Sequence, residues 1–210
     1  MDISKIELPN VGVLTTKLNE NIIQELWQLV DDAKEIDEPY NKKLSGNITL
    51  SLQLKNGEKI LSQILEEMTT KYQESYGIPF NYLRTGKENY ITVLDSLWVN
   101  FQYQHEFNPI HKHSGGYSFV IWMKIPTHYK EQKNLPITNS SANTTSISNF
   151  AFIYSDILGV IREFVFNMSD EAEGHLLLFP AGLKHQVYPF YNCDDVRISI
   201  SGNLGITISE

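Results

Sequence analysis

A chain of 210 residues, 41% hydrophobic and 20% charged, has the size and balance of one globular domain with a sizeable core. The net charge of −8, with basic residues scattered and no run longer than Lys42-Lys43, argues against a nucleic-acid partner held by phosphate contacts. The single cysteine, Cys193, excludes an internal disulfide; no apolar window approaches a membrane span, and MDISKIELPN lacks the basic start and apolar run of a signal peptide, so a cytoplasmic protein is expected.

Taken in order, residues 5–14 read as a short strand or extended arm. Residues 19–34 place Ile22, Ile23, Leu26, Trp27 and Val30 on one helical face, with Asn19 as N-cap and Glu20 in the first turn. Residues 35–50 are polar and turn-rich. From Glu58 to Tyr76, Ile60, Leu61, Ile64, Leu65, Met68 and Tyr72 keep helical spacing, and Gly77 with Pro79 stops the helix. Both helices read as amphipathic cover for a sheet.

From Tyr90 the period changes to two. Leu97, Val99, Phe101 and Tyr103 alternate with Trp98, Asn100 and Gln102. Further strands are expected at 117–125, 150–154, 160–168, 175–179, 186–190 and 196–201. Helices first and strands after predict an α+β chain. A helical support (1–90) and a double-stranded β-helix, or jelly-roll, core (91–210) form one domain. Residues 127–149, rich in Asn, Ser and Thr, read as a structureless insertion, either a lid over a site or a plain mobile loop.

The stretch 97–125 reads as two apolar strands joined by a turn carrying His111-Lys112-His113. Two histidines in a tight turn can aim both rings into one cavity, and imidazole is a ligand for Fe, Zn, Cu and Ni. Taken alone, the pair fits either a metal site or surface histidines. His185 comes back between an apolar strand and another strand, a layout that suits a jelly-roll metal site. Arg197 and Ser199 share a face of the last strand. An inward guanidinium needs an anion, and a carboxylate would be gripped bidentately; the alternative is a solvent-facing Arg197 paired with Asp194 or Asp195. Of the other histidines, His105 reads as a surface or supporting residue, His128 as exposed, and His175 as buried and hydrogen-bonded. Trp98, Trp122 and Tyr117 read as barrel packing, with Trp122 able to reach a pocket. Cys193, beside two acidic residues, is not expected to act as a nucleophile.

WVNFQ, NPIHKHSGGYS, EGHLLLFPAGLKHQVYPF and DVRISISGN together resemble the iron(II)- and 2-oxoglutarate-dependent oxygenases, most closely a small bacterial and phage group related to prolyl hydroxylases. The resemblance covers roughly residues 95–205. It implies a dioxygenase that hydroxylates a C–H bond, of a prolyl or other protein side chain or of a small metabolite, while O2 and 2-oxoglutarate yield succinate and CO2. It implies His111 and His185 as Fe(II) ligands and Arg197 with Ser199 on the distal carboxylate of 2-oxoglutarate. Asn100 and Gln102 line the co-substrate pocket by the same analogy. The usual H-x-D carries a carboxylate where this chain has His113, so the third ligand expected here is His113. Two other readings stay open: a cupin-like three-histidine metalloenzyme without 2-oxoglutarate, and a non-catalytic jelly-roll binding module.

Overall fold

The computed structural model describes residues 10–79, 90–138 and 146–208. Helix α1 (Glu20–Ile36) starts where its cap predicts, with Asn19 Oδ1 accepting the Ile22 N–H at 3.0 Å. Helix α2 (Glu58–Tyr76) matches its periodicity from end to end, and Gly77, at φ 75°, closes it. Leu26 and Val30 of α1, and Leu61, Leu65, Met68 and Tyr72 of α2, are buried. Fully burying such a side chain contributes about 1.5–3 kcal/mol, so packing of the apolar face supplies most of the stability of these amphipathic helices.

Ten strands form among the described residues: β1 (Leu14–Lys17), β2 (Leu50–Gln53), β3 (Tyr90–Gln102), β4 (Asn108–His111), β5 (Tyr117–Lys124), β6 (Phe150–Ser155), β7 (Ile161–Phe166), β8 (His175–Pro180), β9 (Lys184–Val187) and β10 (Arg197–Ile208). One sheet runs β1-β8-β5-β10-β3-β2 and the other β4-β9-β6-β7, with antiparallel pairing throughout. The fold is α+β, a jelly roll with the N-terminal helices packed on its outside.

The period of two sorts the large sheet into two faces. Leu97, Val99 and Phe101 of β3, Phe119 and Ile121 of β5, and Ile198 and Ile200 of β10 pack with the helices. The alternate residues turn toward the smaller sheet, where Val120, Trp122, Leu177 and Phe179 meet Phe150 and Phe152. Polar residues on that second face, Asn100, Gln102, Arg197 and Ser199, therefore point between the sheets.

Several expectations shift. Of the expected strand at 5–14, residues 1–9 lie outside the described residues, 10–13 form no strand, and the strand that forms is Leu14–Lys17. Strand β2 was not anticipated, because its four residues close a polar stretch. The strands on either side of the histidine turn are not neighbours: β10 lies between β3 and β5. The connection instead crosses to the other sheet as β4, which Pro109 had masked as a turn; Pro109 is tolerated because β4 is an edge strand. His185 lies within β9 rather than ahead of a strand. The insertion is not structureless: it carries α3 (Tyr129–Lys133) and a 3-10 turn, Pro136–Thr138. Residues 139–145, on which the lid reading partly rests, lie outside the described residues. Among the described residues no helix is long and apolar enough to cross a membrane.

Candidate metal and anion site

Strands β4 and β9 are antiparallel neighbours, and His111 stands directly opposite His185 in their ladder. Opposed residues in such a pair project to the same face. His113 follows two residues on, and its backbone N–H donates to the Ala181 carbonyl at 2.9 Å, holding the turn against the loop between β8 and β9. The ring centroids of His111 and His185 are 4.3 Å apart, and His113 lies 5.1 Å from each. One ligating nitrogen from each ring lies within 4.8 Å of the other two.

Backbone carbonyls set the tautomers. Nδ1 of His111 is 2.7 Å from the Pro109 oxygen, and Nδ1 of His185 is 3.0 Å from the Leu183 oxygen. A carbonyl only accepts, so each Nδ1 carries the proton and donates. In the neutral ring Nε2 is then left with its lone pair, the form a metal takes. His185 is 4% exposed and ringed by Phe150, Phe152 and Phe179, while His113 leans on Trp98.

Burial disfavours the imidazolium at all three rings. Loss of water lowers His185 to about 3, with His111 adding to the effect, and lowers His113 to about 4, again helped by His111. His111 is also lowered by burial, partly offset by its bond to Pro109. All three are neutral at neutral pH, as ligation requires.

The nearby carboxylates are engaged elsewhere. Glu106 accepts from the Thr49 N–H and hydroxyl and from the Tyr103 N–H, Asp194 from Gln104, and Asp195 from Lys124.

The same cavity holds a buried cation. Arg197 is 4% exposed and faces the interior, so the solvent-facing alternative is set aside: Asp195 pairs with Lys124 instead. In the β3–β10 ladder Arg197 is opposite Gln102 and Ser199 opposite Asn100, and all four line the cavity with the three histidines. Arg197 Nη1 donates to Gln102 Oε1 at 3.3 Å. Nη2 donates to the Ser148 carbonyl at 2.9 Å and to its hydroxyl oxygen at 2.7 Å. Nε is buried with no partner, and the guanidinium lies over the Phe190 ring at 5.0 Å. Among the described residues no carboxylate neutralises it. Burial alone lowers Arg197 to about 10, so it stays charged at neutral pH. Asn100 accepts from the Ser51 hydroxyl at 2.8 Å and lies 3.5 Å from the Ser199 hydroxyl. Gln102 is fixed by donating to the Glu106 carbonyl at 2.6 Å.

Some lining residues were not legible beforehand. Ser148 lies 49 residues from Arg197, with nothing local to mark it. Leu44, Ser45 and Ile48, from the polar stretch before β2, also line the cavity, as do both Trp98 and Trp122. The remaining histidines lie apart from the cluster: His105 is exposed against Tyr191, and His128 caps α3 by accepting the Lys130 N–H. His175 corrects its expectation, since its buried Nδ1 has no hydrogen-bond partner.

The family described as "Putative 2OG-Fe(II) oxygenase" matches residues 96–203, more than half of the chain. The chain belongs to this family. Among solved structures, the 2OG-Fe(II) oxygenase chain is similar to a Pseudomonas putida prolyl-4-hydroxylase, at 13% identity over 91% of each chain and a TM-score of 0.51. It is also similar to OsALKBH1, at 9% identity over 94% of this chain and 100% of the other, with a TM-score of 0.52. These likenesses are of fold. No curated protein sequence matches the chain. Membership in the 2OG-Fe(II) oxygenases implies Fe(II), 2-oxoglutarate and O2. The residues present fit those groups: three neutral imidazoles with ligand atoms within 4.8 Å of one another suit a divalent transition metal, and a buried guanidinium with no carboxylate partner among the described residues suits an organic acid.

Proposed function

We propose that the protein is a dioxygenase in which His111, His113 and His185 hold Fe(II), and Arg197 with Ser199 binds the distal carboxylate of 2-oxoglutarate. Asn100 and Gln102 complete the co-substrate wall. The observation that carries this reading is the sharing of one cavity by a three-imidazole cluster and a buried cation whose described partners are all uncharged.

Bound together, iron and 2-oxoglutarate supply the oxidising chemistry, with 2-oxoglutarate converted to succinate and CO2 and a substrate C–H bond hydroxylated. The chain binds, orients and excludes water. Pro109 and Leu183 hold the imidazoles of His111 and His185 in the ligating tautomer, and the phenylalanines around His185 keep the site dry. A prolyl or other protein side chain is the substrate class we favour, in line with the prolyl-4-hydroxylase fold likeness, with a small metabolite as the alternative.

The all-histidine cluster, with His113 at the usual carboxylate position, also favours a second reading: a three-histidine metalloenzyme that does not use 2-oxoglutarate. One measurement separates the two. The protein with Fe(II), O2 and 2-oxoglutarate is expected to release succinate, even uncoupled from substrate. It is also expected to gain thermal stability from 2-oxoglutarate only when Fe(II) or Mn(II) is present. Metal binding without either response supports the second reading and overturns the first.

A further inference from the structure

Ser148 stands in a backbone conformation that few L-residues adopt, and all its polar groups are used. It is 0% exposed, with φ at +59°, in the left-handed region. Its N–H donates to the Pro189 carbonyl at 2.8 Å, and its hydroxyl lies 3.1 Å from that of the buried Thr127. Its carbonyl and hydroxyl oxygens both accept from the same nitrogen of Arg197. In this left-handed turn one residue presents both oxygens to one nitrogen. Backbone held in a sparsely populated region needs surrounding contacts to persist, and it marks a place where geometry matters.

The chemistry of this clasp bears on charge. A guanidinium on a flexible stem has many orientations, and a deep pocket needs one. A carboxylate partner would fix it but would also neutralise it. Ser148 and Gln102 fix Nη2 and Nη1 from separate elements with uncharged acceptors alone, so orientation is set while the full positive charge is kept for a ligand.

We propose that Ser148 is a positioning residue for Arg197, and that its hydroxyl sets how strongly the site prefers a dicarboxylic 2-oxo acid over a 2-oxo acid lacking the second carboxylate. This rests on the reading of Arg197 as the seat of the distal carboxylate. It makes the end of the 127–149 insertion, together with β10 of the large sheet, a determinant of co-substrate choice.

The test compares two acids with the same 2-oxo head. Binding of 2-oxoglutarate and of pyruvate to the full chain loaded with Mn(II) is measured by calorimetry for the wild type, Ser148→Ala, Ser148→Gly and Arg197→Met. The wild type is expected to prefer 2-oxoglutarate, and Arg197→Met to lose that preference. Both Ser148 variants are expected to lose about tenfold of it, the size of one charge-assisted hydrogen bond, with pyruvate affinity held within about twofold. Glycine accepts the left-handed backbone that alanine strains against, so recovery of the preference in Ser148→Gly would assign the effect to strain and overturn the proposal. Retention of the wild-type preference in both variants would overturn it and leave the Arg197 reading standing. Equal weakening of both acids would mark general damage and overturn it as well. A wild type that does not discriminate removes the Arg197 reading, and the role of Ser148 with it.

Discussion

His111 and His185 face each other across the β4–β9 ladder, although 74 positions separate them in the chain. The ladder, not the H-x-H spacing, is what brings the third imidazole to the other two. His111→Ala and His185→Ala each remove one nitrogen from the 4.8 Å cluster. Losing a partner that only supports a ligand costs about 10–100-fold in metal affinity, and losing the ligand should cost more. Calorimetric titration of Fe(II) or Mn(II) should therefore show more than about 100-fold weaker binding in both variants. Wild-type affinity in either would separate that residue from the metal.

His113 occupies the position where a carboxylate is usual, and this gives a sharper comparison. His113→Ala should weaken metal binding, whereas His113→Asp should keep or strengthen it by supplying a charged oxygen to a divalent ion. The aspartate also removes a ring packed on Trp98, so folding should be followed in parallel by circular dichroism. Equal metal affinity in wild type and His113→Ala would take His113 out of the ligand set.

Part of this site was legible in the sequence: the period of two puts Asn100 with Gln102 on one face of their strand and Arg197 with Ser199 on one face of theirs, while bringing the two pairs to one pocket rested on the family resemblance. Helix α2 was legible for the same reason, as six apolar residues keep one stripe from Ile60 to Tyr72. Strands β2 and β4 were not. Each is four residues long, β4 contains a proline, and a short edge strand is specified by its neighbours rather than by its own pattern. Ser148 was hidden for a different reason: a left-handed serine in a polar run has no local signature, and its role exists only once Arg197 arrives from β10.

Arg197 gives a stability test with two signs. A buried guanidinium with no carboxylate partner among the described residues lowers the stability of the empty site, so Arg197→Met should melt no lower than wild type in the absence of ligand. With Mn(II) and 2-oxoglutarate at about 100 times its Kd, wild type should gain about 2.7 kcal/mol, or roughly 5–10 °C in a chain of this length. The variant should gain much less from the acid, keeping only what the shared 2-oxo head contributes. Scanning calorimetry reads both effects, and an acid-induced shift of wild-type size in Arg197→Met would sink the assignment.

The depressed histidines predict acid sensitivity of the metal-free protein. In the unfolded chain these rings take up a proton near pH 6.5, but in the fold His113 does so only near 4 and His185 near 3. Between those limits the unfolded chain binds more protons, so stability falls as pH drops through this window and is flat above it. The lowered carboxylates of Glu38, Asp156 and Asp195 act only further down, since they start from 4.5 or 3.8. The melting temperature should therefore fall between about pH 7 and about pH 5. It should fall more steeply with Mn(II) bound, because protons then compete with the metal. A melting temperature unchanged across that range contradicts the burial argument.

Gly202 lies on β10 between Leu97 of β3 and Phe119 of β5, in the middle of the large sheet. Its φ is ordinary; what it provides is space. A Cβ there would sit 2.6 Å from Cζ of Phe119 and 2.8 Å from the Ser96 carbonyl oxygen, and the second of these is backbone that cannot swing away. Gly202→Ala should cost about 1–3 kcal/mol by overpacking, a drop of several degrees in melting temperature. Gly182→Ala is the control, because nothing lies within 4 Å of its added Cβ, and its effect should stay within about 0.5 kcal/mol. If the two variants melt together, close packing at the centre of the β3–β10–β5 ladder is not what requires a glycine at 202.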